Sequence, residues 1–117
     1  MDLVHIFCCR DRFGSDDELE RFVVPKYDDD GELIESQFMN EIGLSDTYEP
    51  MAIERERFPR PLALLSALRG FSYSDQFPVV RVDPTDVDTV ICVYSPNVPE
   101  HPAKSSLDYV GTFPYNA

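Results

Sequence analysis

A chain of 117 residues has room for one domain of ordinary size, and with 43% apolar residues, 8 Phe and 6 Tyr among them, it can build one hydrophobic core. Its formal net charge of −12, from 22 acidic and 10 basic residues, repels polyanions and so argues against direct contact with nucleic acid or with an anionic membrane. No run approaches the roughly 18 apolar residues of a membrane-spanning helix, and Met1-Asp2-Leu3-Val4-His5-Ile6 lacks the basic start and cleavage site of a secretory leader, so a cytoplasmic location is expected.

The charge is local. Residues 15–50 hold twelve acids against only Arg21 and Lys26, a net of −10, which leaves −2 for the rest of the chain. The three cysteines, two of them adjacent at Cys8 and Cys9, do not form a disulfide framework. Neighbours on a strand point to opposite faces, so Cys8 and Cys9 read as small buried hydrophobes.

In chain order, residues 3–9 form a short, almost wholly apolar run rich in Val, Ile and Phe, which predicts a central strand. Ser15-Asp16-Asp17-Glu18 is a capping box in which Ser15 accepts from the Glu18 amide and Glu18 reaches back to the Ser15 amide. Leu19, Phe22 and Val23 form the apolar stripe of the helix it opens, and Pro25 stops it. Residues 27–32, Tyr-Asp-Asp-Asp-Gly-Glu, read as a polar turn. Ser36 then caps a second short helix with Phe38, Met39 and Ile42 inward and Gly43 at its end.

Met51, Ile53 and Arg55 alternate with Ala52, Glu54 and Glu56 as a half-exposed antiparallel strand. Pro59 and Pro61 are placed in the first turn of a third helix with Leu62, Leu65 and Leu68 as its stripe and Gly70 as its C-cap. A short extended piece is expected at 79–82, the clearest strand at 88–94, and a last strand at 108–113. The expected fold is α+β: a single domain over residues 1–117, an antiparallel sheet of four or five strands, and two or three short helices packed on one face.

Chemistry is hard to find in this sequence. His5 and His101 stand in no catalytic motif. The acidic turn fails the register of an EF-hand loop: with Gly31 at its sixth position, Lys26 falls at the first and Gln37 at the twelfth. No glycine-rich phosphate loop is present, and neither a cofactor nor a metal is expected. What stands out is the acidic segment interleaved with aromatic residues. Tyr27, Asp28, Asp29, Asp30, Glu32, Glu35, Glu41, Asp46, Tyr48 and Glu49 are the candidate partner-binding residues, complementary to a basic protein surface.

Glu35-Ser36-Gln37-Phe38-Met39-Asn40-Glu41-Ile42-Gly43-Leu44 followed by Tyr48-Glu49-Pro50-Met51-Ala52-Ile53-Glu54 resembles the bacterial immunity proteins of type 22. So do Gly70-Phe71-Ser72-Tyr73-Ser74-Asp75-Gln76-Phe77, the late strand at 89–94 and the ending Asp108-Tyr109-Val110-Gly111-Thr112-Phe113-Pro114-Tyr115, in the same order over nearly the whole chain. The family usually carries an acidic run after the tyrosine, where this chain has Glu49-Pro50-Met51. The resemblance implies a non-enzymatic antitoxin that binds and neutralises a cognate secreted toxin domain. A basic, nuclease-like or otherwise cytosol-acting toxin would match the charge. Two other classes fit the composition less specifically: a small acidic regulatory or scaffold module, and a hydrolase or isomerase working through a carboxylate pair. An exposed last strand would let two copies pair, but no other feature points to a homo-oligomer.

Overall fold

The computed structural model describes residues 2–44, 48–78 and 86–117. Strand β1 (Asp2–Cys9) leads to helix α1 (Asp16–Val23), a hairpin of β2 (Lys26–Tyr27) and β3 (Leu33–Ile34), and helix α2 (Gln37–Ile42). Strand β4 (Ile53–Leu62), helix α3 (Leu64–Leu68), strand β5 (Val87–Tyr94) and strand β6 (Asp108–Tyr115) follow. The four long strands form one antiparallel sheet in the order β4-β5-β1-β6, so the first and last strands of the chain are direct neighbours. The α+β class and the antiparallel sheet expected from the sequence are both present.

The helices are divided between the two faces of the sheet rather than gathered on one. Val4, Ile6 and Cys8 of β1 join Val90, Cys92 and Tyr94 of β5 under α3, whose Leu64, Ala67 and Leu68 are buried there. Phe7 and Cys9 of β1, with Ile91 and Val93 of β5, meet Leu19, Phe22 and Val23 of α1 and Phe38, Met39 and Ile42 of α2 on the other face. The cause lies in β1 and β5: a strand apolar at successive positions presents hydrophobic side chains to both sides, and each fully buried one contributes roughly 1.5–3 kcal/mol. Both faces must therefore be covered. Adjacent Cys8 and Cys9 fall on opposite faces, as the pleat requires.

Local signals set the first two helices. Ser15 Oγ accepts from the Glu18 amide at 3.2 Å, but Glu18 closes on the Gly14 amide at 2.8 Å instead of that of Ser15. Gly14 permits this because a Cβ there would sit 3.3 Å from the Glu18 carboxylate. Ser36 Oγ accepts from the Met39 amide at 3.2 Å, and Gly43 ends α2 in the left-handed region at φ 73°. The carbonyls of Ile42 and Gly43 then accept from the His101 and Glu100 amides, tying the loop before β6 to this helix end.

The third helix departs from expectation. Pro59 and Pro61 belong to β4, an edge strand, where a residue without an N–H can face away from the neighbour. The pairing of β4 with β5 shifts register between Arg57 and Leu62, the stretch that holds both prolines. α3 starts only at Leu64 and buries Leu64, Ala67 and Leu68, leaving Leu65 exposed; Arg69 rather than Gly70 is its C-cap. The extended piece expected at 79–82 lies outside the described residues.

Candidate functional site

The β2–β3 hairpin is organised by one carboxylate. Asp28 Oδ1 accepts from the amides of Asp30 and Glu32, each at 2.9 Å. The Asp28 amide donates to the Glu32 carbonyl and the Gly31 amide to the Asp28 carbonyl, both at 3.0 Å. Gly31 takes φ 81°, a conformation that glycine adopts at little cost. Asp28, itself exposed, is the hub of the turn, and Asp29, Asp30 and Glu32 stand exposed around it. Leu33 anchors the hairpin against the α1–α2 core, while Tyr27 is 64% and Ile34 51% exposed.

The remaining acids of the segment divide by partner. On α1, Asp16 pairs with Arg57 at 3.1 Å and Glu20 with Arg55 at 3.9 Å, so the edge strand β4 supplies cations to this helix. Glu18 is held by the Gly14 amide. Half-buried Glu41 accepts from the Ser106 amide at 2.7 Å, the Ser106 hydroxyl and the Gln37 side chain. Burial would raise its carboxyl pKa, but those donors outweigh it and hold the group below its usual value. Glu49 accepts from the Met51 amide and, through its backbone, pairs with the buried Asn97 side chain. Asp46 lies outside the described residues. Among the described residues, Asp17, Asp29, Asp30, Glu32 and Glu35 are the carboxylates of this segment without an intramolecular partner, and four of those five lie between positions 29 and 35.

Tyr48 joins the hairpin to the body. It packs, half-buried, on the α1–α2 core, and its pKa is raised by burial and then by the nearby Tyr27, against the pull of Arg55. Tyr27, Tyr48, Glu49 and Arg55 thus share one neighbourhood, and the hairpin acids extend from it. Glu41 instead faces Ser106, on the segment leading into β6.

A second feature was not legible in the sequence. Where the start of β4 meets the ends of β5 and β6, an open cavity of about 330 Å³ is lined by Asp2, Met51, Glu54, Tyr73, Tyr94 and Tyr115, among others. The Tyr73 and Tyr115 rings stack with centroids 4.9 Å apart, and Tyr94 meets Tyr115 edge-on at 5.5 Å. Glu54 accepts from the Ser72 amide at 2.9 Å, the Ser72 hydroxyl at 2.6 Å and the Tyr94 hydroxyl at 2.8 Å. These groups come from five separated stretches of chain. Strand spacing alone says nothing of which strand ends converge, although the Gly70-to-Phe77 and Asp108-to-Tyr115 blocks carry two of the tyrosines.

The nucleophile candidates are quiet. Burial pushes the Cys9 thiol up to about 11 and the Cys92 thiol up to about 12, so both remain protonated at neutral pH. His5 Nδ1 lies 2.9 Å from the Tyr109 hydroxyl, and burial lowers its pKa, which favours the neutral ring.

A family model described as Immunity protein 22 matches residues 4–116. Searches of curated proteins and of solved structures found no match.

Proposed function

The chain belongs to the Immunity protein 22 family, and on that premise we propose that it neutralises a cognate secreted toxin domain in the cytoplasm by binding it, without catalysing a reaction. The leading contact is the β2–β3 hairpin with Glu35, flanked by Tyr27 and Tyr48. The observation that carries this reading is the sorting of the acids. Those on α1 and α2 are largely engaged by Arg55, Arg57, Gly14 and Ser106, whereas the unengaged carboxylates concentrate at positions 29–35. Acids already paired add little to the field felt by a partner; unpaired ones add most of it.

The matching partner is a basic protein surface. A toxin that acts on nucleic acid must carry a cationic cleft for phosphates, and a rigid acidic hairpin braced on a core can occupy or shade such a cleft. The exposed aromatic Tyr27 supplies the kind of anchor on which binding energy concentrates.

Co-expression tests the reading: cells producing the toxin domain encoded beside this gene should survive when the chain is present and die when it is absent. Rescue that persists undiminished when Asp29, Asp30 and Glu32 are all changed to lysine would remove the hairpin from the interface. No rescue by the unaltered chain would remove the antitoxin role.

A further inference from the structure

The cavity between the ends of β4, β5 and β6 sets one exposed tyrosine, Tyr73, packed on the buried Tyr94 and Tyr115, beside two carboxylates. We propose that it receives an arginine side chain of the partner protein, a second anchor point distinct from the hairpin. The identity of that partner rests on the antitoxin reading; the preference of the pocket for a guanidinium does not.

Among the described residues none of those lining the cavity is basic, so the charge of Asp2 and Glu54 is not neutralised from within it. Asp2 pairs with Tyr115 through the β1–β6 ladder, but its carboxylate makes no hydrogen bond or ion pair among the described residues. Glu54 takes two donors from Ser72 and shares the single Tyr94 hydroxyl proton with the Ser72 carbonyl, and a carboxylate offers about four acceptor positions, so at least one direction stays open. The Tyr73 ring supplies the second half of the recognition. Tyr94 and Tyr115 are buried, and Tyr73 stacks on Tyr115 at an interplanar angle of 24°, so of the three Tyr73 is the one that solvent reaches. Cations are attracted to such a ring. Guanidinium suits it better than ammonium because it is planar, weakly hydrated and able to stack while donating to a carboxylate.

The backbone adds a separate sign. Tyr73 is held at φ 62°, ψ 15°, the left-handed region that a bulky residue rarely occupies, and the residue is nevertheless 40% exposed. A sparsely populated backbone conformation at a partly exposed aromatic residue is the kind of strain that binding sites hold. Met51, 89% exposed at the rim, offers an adaptable apolar wall for the methylene stem of an incoming arginine. It follows Tyr48 closely in the chain, so pocket and hairpin are joined by one continuous stretch, residues 48–51.

The test uses the full chain and two probes, N-acetyl-arginine methylamide and its neutral counterpart N-acetyl-citrulline methylamide, followed by the NMR resonances of the Tyr73 and Tyr115 rings. The arginine probe should give saturable shifts with a weak dissociation constant, and the citrulline probe should bind about tenfold more weakly, as loss of a cation–π contact implies. Tyr73→Gly, which suits the left-handed backbone and should leave the fold intact, should weaken the arginine probe by a similar factor; Asp2→Asn should weaken it less. Equal binding of both probes, no saturable shift, or a folded Tyr73→Gly variant that binds as the unaltered chain does would each overturn the assignment. Protection from the toxin by a chain that ignores the arginine probe defeats the pocket alone; arginine-selective binding by a chain that gives no protection defeats the antitoxin reading and leaves the pocket standing.

Discussion

Glu54 and Ser72 are joined twice: the carboxylate accepts the Ser72 amide on one oxygen at 2.9 Å and the Ser72 hydroxyl on the other at 2.6 Å. The pair clamps the loop after α3 to the edge strand β4, and the Tyr94 hydroxyl brings β5 into the same contact. Burial would raise the carboxyl pKa, but the donors from Ser72 and Tyr94 prevail and hold it below its ordinary value. A carboxylate with a depressed folded pKa stabilises the protein above its unfolded pKa, and that contribution disappears as pH falls through the folded value. Glu54→Gln should therefore cost up to about 1.5 kcal/mol near neutral pH, the low end for hydrogen bonds to a charged group because the carboxylate is partly exposed and screened by solvent, and far less in acid. Urea denaturation at neutral and acid pH checks this; a variant that is equally destabilised at both pH values would mean that the charge is not what matters.

At the hairpin, stability and binding should separate. The exposed side chains of Asp29, Asp30 and Glu32 make no hydrogen bond or ion pair among the described residues, so changing all three to lysine should leave the melting temperature almost unmoved. Affinity for a basic toxin should drop roughly tenfold or more at low salt, and the salt dependence of binding should shrink with it. Asp28→Ala is the converse: it removes the acceptor for two turn amides and should loosen the hairpin, at a cost of about 1 kcal/mol or more. Calorimetric titration over a range of salt, beside thermal melts, distinguishes the two behaviours.

What could be read from the sequence depended on how local its cause was. The caps at Ser15 and Ser36, the stop at Gly43 and the strands β1 and β5 follow from neighbours in the chain, and they stand where expected. Pro59 and Pro61 misled because a proline tolerated in the first turn of a helix is equally tolerated on a sheet edge, and only the strand order decides. The division of the helices between two faces was implicit in the unbroken apolar run of β1, but α3 had to be located before it could be assigned. For the candidate surface, the acidic segment was visible as charge. Which of its acids are engaged was not, because Arg55, Arg57 and Ser106 reach them across long sequence separations.

Two glycines in the left-handed region give a controlled comparison. A Cβ added at Gly43 would lie 3.1 Å from the Glu100 side chain and 3.2 Å from the His101 ring, while one at Gly31 would meet nothing within 4 Å. Both Gly→Ala changes carry the backbone penalty of roughly 1 kcal/mol, but only Gly43→Ala also pushes against the loop that caps α2. Gly43→Ala should be the more destabilising by about 1 kcal/mol or more in chemical denaturation. Equal losses would show that the loop before β6 yields freely.

The three cysteines report on opening of the core. Cys8, Cys9 and Cys92 are all buried thiols, and burial has pushed Cys9 up to about 11 and Cys92 up to about 12, whereas an exposed cysteine ionises near 8.5. At mildly alkaline pH a thiol reagent should therefore find almost no reactive thiolate in the native state, and modification should wait for unfolding. Phe38→Ala offers the control. Phe38 is fully buried and touches both Phe7 and Phe22 edge-on or tilted, so its truncation should cost about 3–5 kcal/mol. When opening and closing are fast relative to modification, labelling should accelerate by the factor that this loss implies, about tenfold for each 1.4 kcal/mol. A thiol that reacts at full speed in the unaltered protein, or a rate that ignores Phe38→Ala, would mean that the strands holding these cysteines open locally rather than with the core.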